Sequence, residues 1–319
     1  MRERDWIRRY FAPLAAAPGA AGLTDDTAEL ACASGPVVIT TDAMLEGVHF
    51  FAGDPVAGLA RKLVRVNVSD ILASGAEPAE ALLTLGWPGE RGESDLAEFA
   101  AALGDELAAW GAGLIGGDTV LSPSGLFLSL TLTGRCIGSR PVRRGGAKPG
   151  DELWVTGEIG GARRGFLARQ AGAESPWTAW LQTPQLPVAG SAGLLASFAS
   201  AAMDISDGLL GDGRSLAEAS GQGAEIDLDS VPFAGGADSL AEKIDLSTWG
   251  EDYQLLFAAP PEARRQLLEG AARLGLRISR VGRIRAEAGL VALSEGSRVN
   301  LPETIGFEHG SMGMSATRP

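Results

Sequence analysis

The chain has 319 residues, 45% of them hydrophobic, and a formal net charge of −13 at pH 7. Its length favours two domains, because a domain typically has about 100–200 residues. The negative charge argues against binding nucleic acid or an anionic membrane through bulk electrostatics. It still allows a phosphorylated substrate, because bound divalent cations can reverse the local charge. With two cysteines and no CxxC pair, the chain offers neither a disulfide framework nor a thiolate metal site.

The first predicted element is a short amphipathic helix near the N-terminus. Its apolar residues recur at helical spacing: Trp6, Ile7, Tyr10, Phe11 and Leu14. Acidic residues and prolines interrupt this segment, so we do not interpret it as a signal peptide. The longest nearly apolar stretch, Ala192–Met203, falls well short of the ~20 residues that cross a bilayer. We therefore expect a cytoplasmic protein with no membrane partner.

The first half of the chain then alternates between strand and helix patterns. The predicted elements are a strand at Pro36–Thr41, a helix at Leu59–Ala73, a strand at Ala81–Leu85, a helix at Asp95–Trp110, a short strand beginning at Leu114–Ile115 and a strand at Leu126–Thr133. The segment Gly138–Gly150 is rich in Gly, Pro and cations, a composition typical of domain boundaries. We expect an N-terminal domain over residues 1–140 and a C-terminal domain over residues 141–319.

The second half of the chain shows the same alternation. Strands are predicted at Glu152–Thr156, Ala202–Ile205, Ala224–Leu228, Tyr253–Ala258, Arg277–Ile284 and Leu290–Leu293, and helices at Gly161–Gln170, Ser191–Phe198, Leu209–Ala219 and Pro261–Leu274. Mixed strands and helices in both halves predict an α/β (α+β) fold in each domain.

Acidic residues recur immediately after or beside the apolar strands. They are Asp25, Asp26, Asp42, Asp70, Asp118, Asp204, Asp207, Glu251 and Asp252. Strand ends are where a rigid scaffold presents side chains to a cleft. Oxygen ligands from several elements are what Mg²⁺ prefers, whereas carboxylates packed together without a cation repel one another. Taken together, these acids predict a magnesium site that also binds phosphates.

Taken singly, each acid has a structural alternative. Asp42 and Asp118 each fit a turn or a helix cap. Asp70 lies three residues after Asn67 on one helix face, which also fits a solvated surface. The DISDG segment is more informative, because it places two carboxylates and the Ser206 hydroxyl at a strand-to-helix turn.

Several other chemistries lack their motifs. The chain has two histidines and no HExxH, so a histidine-built zinc site is not expected. P-loop and GxSxG motifs are absent. The GxGxxG match at Gly111–Gly116 follows a helix and precedes a strand, the reverse of a dinucleotide fingerprint, so it predicts a helix stop.

Seven motifs occur in a fixed order from Asp25 to about Phe257. They are TDDTAEL, ITTDAMLEGVHF, VNVSDILASGAEP, IGGDT, RRGGAKPGDELWVTG, DISDGL and GEDYQLLF. This set closely resembles the thiamine-monophosphate kinase family of the aminoimidazole ribonucleotide synthetase superfamily. The resemblance implies a two-domain fold with an N-terminal mixed sheet that pairs across a homodimer, and a C-terminal α/β domain completing the site. It also implies transfer of the γ-phosphoryl group of ATP to thiamine monophosphate, with several Mg²⁺ ions.

The resemblance also implies roles for individual residues. Metal ligands would be Asp26, Thr40, Thr41, Asp42, Asp70, Asp118, Asp204 and Asp207, with Asp25 as an outer-shell partner. ATP contacts would come from Gly117, Asp118, Arg144 and Ser206, and substrate contacts from His49, Glu251 or Asp252, and Phe307. Catalysis would depend on Asp42, Asp70, Asp118 and Arg144. Without the resemblance, His49 and Phe307 also fit a packed interior, and Arg144 fits a solvated cationic loop.

Two departures from the family pattern concern site detail. Thr24 stands where the family has Gly before the paired aspartates, and LQTPQLPVAG lacks the Arg of a Pro-x-Pro-Arg segment. Neither departure falls on an expected metal ligand. The alternatives are another ATP-dependent member of the superfamily, a metal-dependent phosphohydrolase, and a non-catalytic protein that binds divalent cations.

The acceptor accounts for the scarcity of histidine. A phosphate monoester has its second pKa near ~6, so it is largely dianionic at neutral pH and needs no general base. The barrier is repulsion between two polyanions, which metal ions and a cationic side chain reduce.

Overall fold

The computed structural model describes residues 7–16 and 35–306. It divides the chain into two compact units. The N-terminal unit contains the described residues up to Ile71 together with Glu77–Cys136. The C-terminal unit contains Leu72–Ala76 and the described residues from Ile137 to Gly306.

Four strands and two α-helices build the N-terminal half. They are β1 (Val37–Leu45), α1 (Val56–Ala73), β2 (Ala76–Pro88), α2 (Glu93–Ala109), β3 (Gly113–Ser122) and β4 (Phe127–Cys136). The strands form one sheet in the order β1-β4-β2-β3, with β1 antiparallel to β4 and β2 parallel to β3. The expected mixed sheet is confirmed. The predicted helix stop is also present, because Gly111 adopts a φ of 71° two residues after α2 ends.

The two faces of this sheet differ in what covers them. On one face, the methyl groups of Ile71 in α1 lie against Gly134, and Trp87 packs edge-on against Phe99 of α2 with ring centroids 5.9 Å apart. The other face carries the odd-numbered side chains of β1, among which Ile39 is 68% exposed and Val37 49% exposed. In the described chain, this open face is therefore apolar and accessible.

The N-terminal segment differs from the predicted α-helix. Ile7–Phe11 forms one turn of π-helix and Ala12–Leu14 a turn of 3₁₀-helix; Trp6 lies outside the described residues. Pro13 stands at the start of the 3₁₀ turn, where its ring removes a backbone donor and prevents a continuous α-helix. Phe11 is nevertheless buried, as the apolar spacing predicts.

The C-terminal half is built on a seven-stranded mixed sheet. Its strands are β5 (Glu152–Thr156), β6 (Ala201–Asp204), β7 (Gly223–Asp227), β8 (Leu255–Ala259), β9 (Ile278–Arg285), β10 (Gly289–Ser294) and β11 (Ser297–Val299). Their order is β11-β10-β7-β9-β5-β8-β6, with β10 parallel to β7. Its α-helices are α3 (Gly161–Gln170), α4 (Thr178–Gln182), α5 (Ser191–Phe198), α6 (Leu209–Ala219), α7 (Leu240–Thr248) and α8 (Arg264–Arg273).

Three elements of this half were not predicted: α4, α7 and β11. A start signal for α7 is present, because the Ser239 hydroxyl accepts the N–H of Glu242 at 3.2 Å. The strand predicted from Tyr253 begins instead at Leu255, because Tyr253 has a φ of 50° that an extended strand cannot contain. Among the helices in the described part of the chain, none is long and apolar enough to span a membrane.

Candidate functional site

Strand β1 and helix α1 meet through polar side chains. The Thr40 hydroxyl donates to Oδ2 of Asp70 at 2.5 Å, and the Asp42 backbone N–H donates to Oδ1 of Asn67 at 3.1 Å. Asn67 is fully buried and donates in turn to the Leu63 carbonyl oxygen at 2.9 Å. The predicted placement of Asn67 and Asp70 on one helix face is therefore confirmed, and that face packs on Thr40 and Asp42.

The sequence led us to expect Asp42 at the end of a strand, but the structure places it inside one. It is the sixth of nine residues in β1, and hydrogen bonds hold the chain extended on both sides of it. Because side chains alternate along a strand, Thr40 and Asp42 share one face while Thr41 lies on the other. The Thr131 hydroxyl donates to the Thr41 hydroxyl at 3.1 Å on that opposite face.

Asp118 likewise lies inside a strand instead of a turn. It pairs with Thr84 in the register between β3 and β2. Strands β1 and β3 form opposite edges of the sheet, with two strands between them. At ~4.8 Å per strand, the strands that carry Asp118 and Asp42 lie about 14 Å apart across the sheet, so these two acids are not neighbours in it.

Gly117 has a structural reason to be glycine. Its φ is 155°, and a Cβ at this position would lie 1.9 Å from the Leu83 carbonyl oxygen of β2. No side chain fits into that space, so the close approach of β2 and β3 requires glycine here.

The His49 ring is held by the backbone after β1. Its Nδ1 accepts the Leu45 N–H at 3.0 Å, so the neutral ring carries its proton on Nε2. The Lys62 ammonium, whose residue is only 2% exposed, donates to the His49 carbonyl oxygen at 3.1 Å. The His49 ring is therefore held through Nδ1, and its N–H donor is on Nε2.

In the C-terminal unit, the DISDG segment forms the turn from β6 into α6. Asp204 is the last residue of β6 and is buried. Oδ2 of Asp212, in the first turn of α6, accepts the N–H groups of Asp207 and Gly208, each at 3.0 Å. Burial, followed by the nearby Asp207 charge, raises the pKa of Asp212 to about 7. Sequence reasoning missed Asp212, although an acid in the first turn of a helix is a recognisable signal.

The segment around Arg144 is ordered by backbone contacts. The Ser220 hydroxyl accepts the N–H groups of Gly146 at 3.2 Å and Ala147 at 3.1 Å. The Ala202 N–H of β6 donates to the Arg143 carbonyl oxygen at 2.9 Å. Arg144 lies close enough to Asp212 for its positive charge to act on that carboxyl. This charge lowers the pKa of Asp212, although burial and the Asp207 charge together raise it. Arg144 thus lies near the DISDG turn on an anchored segment.

The GEDYQ loop lies beside the same turn. The Glu251 N–H donates to the Ser206 carbonyl oxygen and the Tyr253 N–H to the Ile205 carbonyl oxygen, each at 2.9 Å. Glu251 and Tyr253 have φ angles of 62° and 50°, uncommon for residues with side chains. Backbone conformations of this kind persist where surrounding contacts hold them, often at functional sites.

Glu251 and Asp252 have different surroundings. Both Asp252 oxygens lie 2.9 Å from the Gly160 backbone nitrogen, and the N–H groups of Gly161 and Ala162 also stabilise its charged form. Burial nevertheless raises the pKa of Asp252 to about 7. Asp252 therefore anchors the loop to the start of α3, whereas the Glu251 carboxylate accepts a long 3.4 Å hydrogen bond from the Tyr253 hydroxyl.

Three of the expected site residues, Asp25, Asp26 and Phe307, lie outside the described residues, but the chain just before Phe307 is described. A Cβ on Gly306 would lie 3.4 Å from the Asp207 carbonyl oxygen, so the chain reaches the DISDG turn at this point. Within residues 7–16 and 35–306, no group of three or more His, Cys, Asp or Glu side chains is close enough to hold a metal.

Comparison with known proteins identifies the family. The model of the AIR synthase related protein N-terminal domain matches residues 24–136, and that of the C-terminal domain matches residues 148–293. The chain belongs to this family. Thiamine-monophosphate kinase of Caulobacter vibrioides is 35% identical over 97% of the chain and 91% of the relative. The resemblance drawn from the seven motifs is confirmed.

Solved structures of similar proteins have the same fold as this chain. Thiamine-monophosphate kinase from Stenotrophomonas maltophilia K279a has a TM-score of 0.79 and 31% identity, covering 87% of this chain and 91% of that one. AaThiL in complex with AMPPCP and TMP has a TM-score of 0.75 and 29% identity, covering 90% of this chain and 91% of that one. The two-domain fold expected from the sequence is confirmed.

The raised pKa of Asp252 predicts a pH effect on stability. Between about pH 4 and pH 7 the folded protein keeps this proton, which the unfolded chain has already lost. The contribution of Asp252 to the free energy of unfolding therefore falls as the pH rises through this window. Asp252→Asn removes this titration, so wild type should lose stability relative to the variant from pH 4 to pH 7.

Urea denaturation of both proteins across this pH range measures the difference. Glu174→Gln, an exposed position of the same unit, is the matched control and should show a pH-independent difference from wild type. A stability difference for Asp252→Asn that stays constant with pH would contradict the prediction.

Proposed function

We propose that this protein is an ATP-dependent kinase that transfers the γ-phosphoryl group of ATP to thiamine monophosphate, giving thiamine diphosphate and ADP. The observation that carries the proposal is the 35% identity, over 97% of the chain, to a thiamine-monophosphate kinase. A structure with 29% identity binds AMPPCP, an ATP analogue, together with TMP. Within the described residues, the motifs that resemble the family include the polar groups described above.

Each unit offers its own oxygen ligands for magnesium. In the N-terminal unit, Thr40, Asp42 and Asp70 lie at the junction of β1 and α1, and their hydroxyl and carboxylate oxygens suit a hard cation. In the C-terminal unit, Asp204 and Asp207 supply the equivalent carboxylates. Asp25 and Asp26 are also proposed ligands, whereas Thr41 and Asp118 lie away from the junction of β1 and α1 and would contact other Mg²⁺ ions of the several proposed. When bound, Mg²⁺ would neutralise phosphoryl oxygens.

The nucleotide and the transferred group would be oriented by fixed donors. We assign ATP contacts to Gly117 and Asp118 on β3, and to Arg144 and Ser206 at the DISDG turn. His49 would donate from Nε2 to the substrate phosphate. Because the acceptor is already dianionic, direct in-line transfer needs positioning and charge neutralisation rather than a base. These groups provide both.

For the thiamine moiety, the loop geometry favours Glu251 over Asp252. The Asp252 oxygens are engaged by the start of α3, so its role is to anchor the loop. Glu251 is 5% exposed, and its carboxylate accepts a 3.4 Å hydrogen bond from the Tyr253 hydroxyl of the same loop. Phe307 follows Gly306 at the DISDG turn and would stack on a thiamine ring. We propose a cytoplasmic location for this biosynthetic step.

Product analysis tests the function directly. Purified protein incubated with ATP, Mg²⁺ and thiamine monophosphate should give ADP and thiamine diphosphate in equal amounts. Free phosphate without thiamine diphosphate would indicate a phosphohydrolase, and no turnover would indicate a protein that only binds cations. Either of these two results would overturn the proposal.

Asp42 gives the sharpest test of the magnesium proposal. Asp42→Asn should lower kcat by ~10²–10³-fold, as for loss of an electrostatic contact in the transition state. The melting temperature without metal should hold or rise, because the hydrogen bond to Asn67 comes from the Asp42 backbone.

The matched control for Asp42→Asn is Asp105→Asn, an exposed position on α2, which should leave both quantities unchanged. Calorimetry measures the melting temperature of the two variants, and steady-state kinetics measures their kcat. A destabilised but fully active Asp42→Asn protein would refute the magnesium role of this residue.

The open face of the N-terminal sheet predicts a homodimer. Its exposed apolar side chains include Val37, Ile39 and Leu45 on β1, and an apolar face of this kind marks an interaction surface. Ile39→Asp places a charge in the middle of that face and should convert the dimer to a monomer. Light scattering at micromolar concentration measures the mass.

Val188→Asp serves as the control for dimerisation, because Val188 is a similarly exposed apolar residue in the C-terminal unit. This variant should remain dimeric. Wild-type protein that is monomeric and fully active would overturn the homodimer proposal.

A further inference from the structure

The backbone of the DISDG turn is held by one buried side chain. Asp212 is 3% exposed, and its Oδ2 accepts two N–H groups at once, those of Asp207 and Gly208 at 3.0 Å. In an ordinary helix cap, a residue before the helix accepts N–H groups of the first turn. Here the arrangement is reversed. Asp212 lies inside α6, and it accepts N–H groups of the residues that precede the helix.

The same turn is enclosed from its other side. A Cβ on Gly250 would lie 2.2 Å from the Ser206 carbonyl oxygen, and a Cβ on Gly208 would lie 2.8 Å from the Thr248 carbonyl carbon. The Glu251 N–H donates to the Ser206 carbonyl oxygen at 2.9 Å. The turn is therefore fixed between the chain entering the GEDYQ loop on one side and Asp212 on the other.

We infer that Asp212 is a positioning residue, which fixes the backbone of Asp207 so that its carboxylate is presented to Mg²⁺ bound with the nucleotide. This inference rests on the proposed function and adds a residue to it. Groups that orient a metal ligand commonly change metal affinity by 10–100-fold when they are removed. The two hydrogen bonds that share one oxygen hold the backbone from which the Asp207 side chain extends.

Both N–H groups donate to the same Asp212 oxygen, so a variant that keeps one oxygen there can separate the effect of the hydrogen bonds from the effect of the charge. Asp212→Asn can place its amide oxygen where Oδ2 now lies and keep both hydrogen bonds, although it removes the charge. Asp212→Ala removes the acceptor altogether. Ser215→Ala, on the same helix, removes a hydroxyl that donates to the Gly211 carbonyl oxygen at 3.0 Å and serves as the control for a purely helical effect.

Two readouts separate positioning from structural support. The first is the Mg²⁺ concentration that gives half-maximal kinase activity. The second, independent of turnover, is the increase in melting temperature produced by Mg²⁺ with AMPPCP. For Asp212→Ala we expect the required Mg²⁺ concentration to rise ~10-fold or more and the thermal shift to shrink, by analogy with the loss of other groups that orient metal ligands. Asp212→Asn should recover most of both quantities, and Ser215→Ala should match wild type in both.

A double variant tests whether Asp212 acts through Asp207. Adding Asp212→Asn or Asp212→Ala to Asp207→Asn should not raise the Mg²⁺ requirement further, because the ligand being positioned is already altered. A lowered melting temperature with an unchanged Mg²⁺ requirement would overturn the inference, as would an Asn variant as impaired as Ala. Wild-type protein that binds Mg²⁺ with AMPPCP but makes no thiamine diphosphate would refute the proposed function alone.

Discussion

The geometry of the C-terminal unit depends on buried carboxylates that accept backbone N–H groups. Burying a carboxylate is costly unless it is hydrogen-bonded. Asp212 binds the entry to α6, and Asp252 binds the start of α3. In each case burial raises the pKa while backbone hydrogen bonds oppose the shift. The DISDG turn and the GEDYQ loop are therefore both fixed by buried carboxylates that accept backbone N–H groups.

Much of the fold could be predicted from periodicity, because packing follows it closely. The bounds of β5, α3, α5 and α6 agree with the predicted ranges residue for residue. The errors arise where local contacts override the apolar pattern. Tyr253 continues an apolar run toward β8, yet its backbone is turned by the hydrogen bond to Ile205. Periodicity cannot reveal a conformation imposed by a neighbouring turn.

The candidate site was predictable by residue type but not by arrangement. The spacing of Asn67 and Asp70 on a helix indicated a shared face, and both contact β1. Strand alternation separates Thr41 from Thr40 even within the predicted strand Pro36–Thr41, but placing Asp42 with Thr40 required knowing that the strand continues past Thr41. The separation of Asp118 from Asp42 depends on the strand order, which a sequence does not reveal without its pairing partners. Asp212 was missed because its role arises from the turn geometry.

The donors at the site show why a chain with two histidines can serve this chemistry. Transfer between two phosphates needs fixed positive charge and hydrogen-bond donors more than it needs proton transfer. His49 is fixed through its Nδ1, which leaves the donor on Nε2. Arg144 is carried on a segment tied to Ser220 and β6. The His49 ring and the backbone around Arg144 are thus held by hydrogen bonds within the chain, so the proposed transfer would require little reorganisation of either when charge shifts.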